Sequence, residues 1–397
     1  METKKLNRRD FFRLTATAGA GALIMPEVAA STLKINSADK GENVYPMRTL
    51  GKTGITIPIL SMGVMRADNP NVVRAAYNAG ITFFDTAHGY QNGQNEVMLG
   101  NFFKDKPRDS FQIATKGKFD YPLKDTFEKD FTALLDLSLK RLQMDHVEIF
   151  YTHALDKMEH VTDERVLNLL KKFKADGKIR NIGFSTHALN PAMIDAGVET
   201  GAYDVILLSY NFKLHNLKET EDAIARGVKA GVGFIAMKTM TGAAEDTEGK
   251  KKIDARACLK WAWQNENITT IIPGFSNFDE LDECLAAVKS PVLTENEKQY
   301  LAMLGTQEMM FCQQCGKCRD MCVEHLPIPD MMRAYMYAYG YKNASLSKET
   351  LVELNLPEKT CSKCGKNCKV KCTSGFDVAR KIAAVTPVLH VPDALLS

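Results

Sequence analysis

The chain has 397 residues, 45% hydrophobic and 25% charged, the balance of a folded globular protein and too apolar for a disordered one; at roughly 100–200 residues per domain that is about two to three domains, or one large barrel with an appendage. Lys+Arg total 51 against 48 Asp+Glu, a net charge of +3, which argues against a nucleic-acid binder with a large basic surface. After the N-terminal segment no uncharged apolar run reaches about 18 residues, which excludes a polytopic membrane protein.

Residues 1–30 start basic (Lys4, Lys5, Arg8, Arg9). Asn7-Arg8-Arg9-Asp10-Phe11-Phe12-Arg13 follows, then a small, weakly apolar stretch from Leu14 to Ala30, closing on Val28-Ala29-Ala30. The order of charge, apolar run and small residues is that of a cleavable targeting segment. Paired arginines followed by aromatics resemble a twin-arginine signal, with Asn7 where that signal usually has Ser or Thr. The resemblance implies the twin-arginine export machinery as partner, export in the folded state with cofactors already inserted, and a periplasmic or extracytoplasmic location. A soluble N-terminal helix and an uncleaved anchor are the alternatives. Residues 31–46 are polar and unpatterned and read as a linker.

From Met47 the chain alternates. Arg48 to Pro58 reads as a short hairpin turning at Lys52-Thr53-Gly54. Short β-branched or aromatic runs follow: Ile59–Val64, Ile81–Thr86, Phe111–Lys116, His146–His153, Ile179–Thr186, Val205–Asn211, Gly233–Lys238 and Thr269–Gly274. Helical patterns lie between them, clearest at Thr126–Leu142, Glu164–Asp176, Glu219–Ala230, Ala255–Asn265 and Phe278–Val288. Eight strand–helix units in about 230 residues fit an α/β (β/α)8 TIM barrel, placed at 47–300. A doubly wound sheet is the runner-up, and no G-x-G-x-x-G follows the first strand to support it. In a barrel the C-terminal strand ends carry the site. Asp85, Lys116, His153, Ser185 and Thr186 fall there, with Tyr90 just past Asp85.

Phe84-Asp85-Thr86-Ala87-His88-Gly89-Tyr90 resembles the signature of the aldo/keto reductase family, and Asn95-Glu96-Val97-Met98-Leu99-Gly100 resembles its continuation. The resemblance runs from about Met47 to Val288. It implies a catalytic tetrad of Asp85, Tyr90, Lys116 and His153. Carbonyl reduction needs a hydride to carbon and a proton to oxygen. Tyrosine titrates near ~10 and is a weak acid at neutral pH, so a nearby ammonium, Lys116, would ease proton release while Asp85 holds Lys116 charged. His153 would hydrogen-bond the carbonyl oxygen. Singly, each has a plainer reading: a cap, a solvated lysine, a satisfied core histidine. His88 and His187 read as pocket lining.

The same resemblance implies a nicotinamide cofactor, NAD(H) or NADP(H). Gly183-Phe184-Ser185-Thr186 resembles the family's Gly-x-Ser-Asn, with Thr186 in place of Asn. Tyr210-Asn211 belongs to the same pocket, with Leu207 where the family often has Gln, and Met237 stands where an aromatic often stacks. Ile272-Pro273-Gly274-Phe275-Ser276-Asn277 resembles the phosphate-gripping loop of the last strand, leading into a helix whose first amides receive phosphate. Gly274 and Glu280 stand where NADPH users often place Lys or Arg. An acid there repels a 2′-phosphate and favours NAD(H), with Lys238 as the residue that would rescue NADP(H).

Eight of the ten cysteines lie in two runs: Cys312-x2-Cys315-x2-Cys318-x3-Cys322 and Cys361-x2-Cys364-x3-Cys368-x3-Cys372. The first spacing is that of a bacterial-type iron–sulfur run. The second has one residue more, and Val323 and Thr373 stand where Pro is usual. Together they resemble a two-cluster ferredoxin module, placed at 301–390 as a small, mostly helical domain. That implies two [4Fe-4S] clusters, each run giving its fourth cysteine to the other. One set would be Cys312, Cys315, Cys318 and Cys372; the other Cys361, Cys364, Cys368 and Cys322. Zinc sites and disulfides are the alternatives. Cys258 and Cys284 read as buried spectators, and Pro329 to Tyr341 as a helix dense in Met and Tyr packed on the clusters or the barrel.

The function expected from these readings is an exported oxidoreductase. Hydride would pass between a nicotinamide and a small carbonyl or alcohol substrate, coupled to cluster electron transfer with a redox partner protein or quinone-linked carrier. The alternative is an electron-transfer protein whose barrel is a docking scaffold.

Overall fold

In this computed structural model the described residues are 45–187, 191–241, 253–306, 311–357, 360–361, 364 and 368–396. The signal-like segment 1–30 and linker positions 31–44 lie outside them. Chain order begins with a hairpin, β1 (Met47–Thr49) and β2 (Thr56–Pro58), paired antiparallel from Met47↔Pro58. Gly54, at φ +76°, makes the turn that the sequence placed there, a conformation glycine adopts without steric cost. Leu50 and Ile57 enter the barrel interior and pack with Phe83, Ile149, Val205 and Ile235. The hairpin thus plugs the end opposite the strand C-termini.

Eight parallel strands follow: β3 (Met62–Gly63), β4 (Phe83–Asp85), β5 (Gln112–Gly117), β6 (Val147–Thr152), β7 (Ile179–Thr186), β8 (Val205–Ser209), β9 (Gly233–Met237) and β10 (Thr270–Ile271). Each pairs with its chain neighbour. The seam closes by a parallel bridge between Leu60 and Ile271, with Ser61 N–H donating to Ile271 O at 2.9 Å and Ile271 N–H to Ile59 O at 3.0 Å. Closure is that of a (β/α)8 barrel and excludes the open doubly wound sheet. β3 and β10 are shorter than the sequence suggested because they meet only at this seam.

The outer layer comprises α1 (Pro70–Asn78), α2 (Gln94–Phe103), α3 (Phe127–Leu142), α4 (Met158–Val161), α5 (Glu164–Ala175), α6 (Pro191–Glu199), α7 (Leu217–Lys229), α8 (Ala255–Trp263) and α9 (Phe278–Lys289). Sequence explains their ends and faces. In α3, Phe127, Phe131, Leu135, Leu139 and Leu142 fall on one buried stripe, the helical repeat of apolar positions. Asp163 caps α5 by accepting from Arg165 N–H at 2.9 Å, and Asn277 caps α9 by accepting from Glu280 N–H at 2.9 Å; such caps satisfy amides a helix cannot.

The C-terminal segment is helical: α10 (Glu295–Thr306), α11 (Ile328–Tyr339), α12 (Ala344–Glu353) and α13 (Val378–Val385). Met331, Met332, Leu351, Val378, Ile382 and Val385 form its own core together with Cys322. A second apolar cluster is shared with the barrel: Ile253 and Cys258 pack with Leu304, Phe311, Met336 and Tyr337. Polar ties reinforce it. Arg319 pairs with Asp156 at 2.6 Å, Lys118 with Glu353 at 2.8 Å, and Asn211 Nδ2 donates to Gln313 Oε1 at 3.0 Å. Asp156, Lys118 and Asn211 all follow strand C-termini, so the segment sits over the barrel's active face. Among the described residues no helix is long and apolar enough to cross a membrane.

α2 and α3 touch so closely that a Cβ on Gly100 would lie 2.3 Å from Arg141 O and 2.7 Å from Leu142 C. Backbone cannot yield there. Gly100→Ala should cost ~1–3 kcal/mol, the usual penalty of overpacking, read as a lowered midpoint in thermal or denaturant unfolding.

Candidate functional site

A cavity of about 610 Å³ opens at the C-terminal strand ends. Barrel loops form one wall, and α11, the turn after it and α12 form the other. Asp85 ends β4, Lys116 lies in β5, His153 follows β6, and Tyr90 sits in the loop after β4; all four line the cavity. The turn after Tyr90 holds Gln91 and Asn92 at φ 51° and 52° and Gly93 at φ 85°. Gly93 is needed twice over, since a Cβ there would lie 2.2 Å from the Arg141 guanidinium carbon.

Lys116 Nζ donates to Asp85 Oδ1 and, at 2.6 Å, to the Thr86 carbonyl. Both side chains of the pair are almost fully buried, 2% and 4% exposed. Burial pushes the Asp85 carboxyl up and the Lys116 ammonium down, and each charge pulls the other back toward its ionised form. Asp85 Oδ2 is buried and has no hydrogen-bond partner among the described residues. An ammonium has three donors; two are spent, and Nζ lies 5.2 Å from the Tyr90 ring centroid. The amine is therefore beside the phenol ring, and its hydrogen bonds go to Asp85 and Thr86.

Burial and the Asp85 charge drive the Tyr90 phenol well above its ordinary value, against the Arg333 charge. Tyr90 thus carries its proton throughout the neutral range, as a donor must. The His153 ring meets Tyr90 edge to face, with centroids 5.8 Å apart. Burial and the Lys116, Lys118 and Arg333 charges hold His153 well below the usual histidine range, so it is neutral and keeps one N–H and one acceptor nitrogen. A phenol and a neutral imidazole facing one cavity can both hydrogen-bond a carbonyl oxygen placed between them.

The residues singled out for a cofactor divide. Ser185, Lys238, Gly274, Phe275, Ser276 and Asn277 line the cavity, as do His88, His187 and Met237. Ser185 Oγ accepts from Ala154 N–H at 2.8 Å. Thr186 and Tyr210 are buried and are not brought to the cavity. Successive residues of a strand alternate sides, so Thr186 faces away from Ser185. Tyr210 stacks on Trp261 with centroids 5.0 Å apart, and its hydroxyl donates to Glu221 at 2.6 Å and accepts from Asn265 at 3.1 Å; it belongs to the helix layer. Cys284 is buried as expected but lines the cavity.

Several wall residues escaped the sequence. Arg66, just beyond β3, donates to the Gly274 carbonyl at 3.2 Å and pairs with Glu280 at 3.5 Å. Glu280 also accepts from the Ser276 N–H at 2.8 Å. Arg333, Tyr337 and Tyr341 enter from the C-terminal segment. The only signal for them was the Met- and Tyr-rich pattern of that helix, which fixes no docking direction.

None of the ten cysteines is joined in a disulfide. Cys312 feels the charges of Cys318, Cys315 and Cys372, and Cys361 those of Cys322, Cys368 and Cys364. The fourth cysteine of each run therefore lies with the other run. Gln314 N–H donates to Cys312 Sγ at 3.2 Å and Ser374 N–H to Cys372 Sγ at 3.4 Å. Four thiols apiece, amides aimed at sulfur and an apolar surround are what an iron–sulfur cubane requires, so both groups fit one.

A closed barrel with this ion pair, phenol and neutral imidazole at its mouth, roofed by a cysteine-rich segment, defines an oxidoreductase. The chain belongs to the aldo/keto reductase family, whose model matches residues 57–257; the model of a 4Fe-4S dicluster domain matches residues 311–377. It is 29% identical over 288 residues to an L-galactose dehydrogenase of Arabidopsis thaliana, covering 61% of this chain and 88% of that one. It is 25% identical over 314 residues to an L-glyceraldehyde 3-phosphate reductase of Escherichia coli, covering 63% and 89%. An aldo-keto reductase of Bacillus halodurans in its holo form shares the fold, with a TM-score of 0.54 at 20% identity over 66% of this chain and 96% of that chain.

Lys116→Met should destabilise the protein by ~3–5 kcal/mol, because it strands a buried carboxylate. Adding Asp85→Asn should restore much of that loss, read as the unfolding midpoint of each variant. A single variant as stable as the parent would show that Asp85 is not held ionised by Lys116.

Proposed function

We propose that the barrel reduces or oxidises a small carbonyl or alcohol substrate with a nicotinamide cofactor, and that the cysteine-rich segment holds two [4Fe-4S] clusters through which electrons reach a partner protein or quinone-linked carrier. Cys312, Cys315, Cys318 and Cys372 would hold one cluster, and Cys361, Cys364, Cys368 and Cys322 the other. Ser185 and Met237 would flank the nicotinamide, and the Gly274–Asn277 loop with the first amides of α9 would take the phosphates. When bound, the nicotinamide supplies hydride and the clusters single electrons. Tyr90 gives its proton to the substrate oxygen, His153 orients that oxygen, and the Asp85–Lys116 pair fixes the ammonium beside the phenol. Glu280, bonded to the Ser276 amide, favours NAD(H) over a 2′-phosphate; Arg66 beside it would soften that preference. The twin-arginine-like segment supports a periplasmic or extracytoplasmic site of action.

One observation carries the coupling of the two halves. Lys238 lines the catalytic cavity and feels the charge of Cys312, so the first quartet lies beside the substrate chamber. The rival reading, an electron-transfer protein with an inert barrel, draws support from the withdrawal of Thr186 and Tyr210 from the cavity. The family members named above include a dehydrogenase and a reductase, which supports chemistry in either direction.

Tyr90→Phe decides between these readings. It should lower kcat for aldehyde reduction by roughly 10²–10⁴-fold, the usual share of a general acid, with iron and sulfide content unchanged. Turnover unaffected by the change would leave the barrel a scaffold. For the clusters, Cys372→Ser should perturb the same electron paramagnetic resonance signal as Cys312→Ser, and Cys322→Ser the same signal as Cys361→Ser. Perturbation within each run instead would refute the crossed arrangement.

A further inference from the structure

Arg333 comes to the catalytic cavity from the cysteine-rich segment. Its side chain is 11% exposed and its Nη2 lies 2.7 Å from Asp330 Oδ1. A guanidinium presents five donors in a planar fork, and Asp330 is its one ion-pair partner among the described residues. Asp330 is not in the cavity wall, so it holds Arg333 from behind and leaves the fork turned to the chamber. The Arg333 charge reaches Tyr90, His153 and His187, which places it on the substrate side.

Lys238 is the second cation. Its Nζ lies 5.3 Å and 5.7 Å from the ring centroids of Tyr337 and Tyr341 and 3.7 Å from Met336 Sδ. Burial and the Arg333 charge pull its ammonium down to about 7, while the Cys312 charge acts the other way. Among the described residues no carboxylate is within ion-pair reach of Lys238. Three acids of the cavity pair with other cations, Asp85 with Lys116, Glu353 with Lys118 at 2.8 Å and Glu280 with Arg66 at 3.5 Å, and the Glu353 charge also reaches Arg333. Burial and Glu353 push the Glu349 carboxyl up, toward its neutral form. Arg333 is steadied by Asp330 and Glu353 and Lys238 by Cys312; the two basic groups face one chamber, and an anion bound there would favour the charged form of both.

We propose that Arg333 and Lys238 form an anion subsite in the catalytic cavity and that the substrate is a carbonyl compound bearing a carboxylate. The proposal rests on the reading of the cavity as a carbonyl-reducing site. A planar fork and a point charge suit either a carboxylate or a phosphate. The cofactor's phosphates have their own loop at Gly274–Asn277, which leaves the substrate as the source.

The test uses cluster-loaded protein and compares succinate semialdehyde with butanal as substrates, NADH affinity being measured alongside. The parent should favour the semialdehyde. Arg333→Leu should cut the semialdehyde-to-butanal ratio of kcat/KM at least about tenfold, the scale of a lost charged hydrogen bond, through KM rather than kcat. The double variant Asp330→Asn/Arg333→Gln, which leaves no buried carboxylate behind, should do the same if the single variant folds poorly. A ratio unchanged in both overturns the subsite. A steady ratio with weakened NADH binding also overturns it, by giving the anion to the cofactor. If the parent reduces neither aldehyde, the carbonyl-reducing reading fails instead. Calorimetric titration with succinate then judges the subsite: binding lost in Arg333→Leu upholds it, and no binding by the parent overturns it.

Discussion

The contact on which the site depends is the buried pair of Lys116 and Asp85. Neither charge is tenable alone in the dry interior of a closed barrel, since desolvation of a single ion costs several kcal/mol. Together they are held by β4 and β5, paired in register from Phe83↔Gln112 to Asp85↔Ala114. That register decides where the ammonium stands relative to Tyr90. Burial, reinforced by the Asp85 charge, keeps the phenol protonated. One ion pair therefore fixes an amine in space and adds its carboxylate charge to the burial that keeps the neighbouring phenol protonated.

The rest of the chamber is arranged around that pair by what surrounds it. Burial, with cations on several sides, holds His153 neutral, so a hydrogen-bond donor and a protonated phenol meet in one cavity. The turn after Tyr90, with three successive positive φ values, leads the chain from the cavity into α2. Nothing in the local sequence except Gly93 announces that turn.

Much of this was legible in the chain. Strand β7 runs over Ile179–Thr186, where the sequence placed it, and the tetrad positions fall at consecutive strand ends because a parallel barrel brings all those ends to one face. The cysteine spacing marked the two runs, and the resemblance to a two-cluster module implied the crossed grouping of Cys322 and Cys372, which brings together cysteines far apart in the chain. What was hidden depended on tertiary partners. Tyr210 turns to the helix layer because Trp261, Glu221 and Asn265 receive it there, and no nearby residue signals that choice. Arg66 and Arg333 carry no local mark of the cavity, since Arg66 finds Gly274 and Glu280 across the barrel seam and Arg333 is placed by a cluster assembled from residues far apart in the chain.

The apolar cluster of Ile253, Cys258, Phe311 and Met336 joins barrel to roof, with the first cysteine only one residue beyond Phe311. Damage at the metal-binding end is thereby mechanically linked to the reaction chamber. Oxygen attack that loosened the run after Phe311 would slacken α11, draw Arg333 and Tyr337 out of the wall and let water in beside Tyr90.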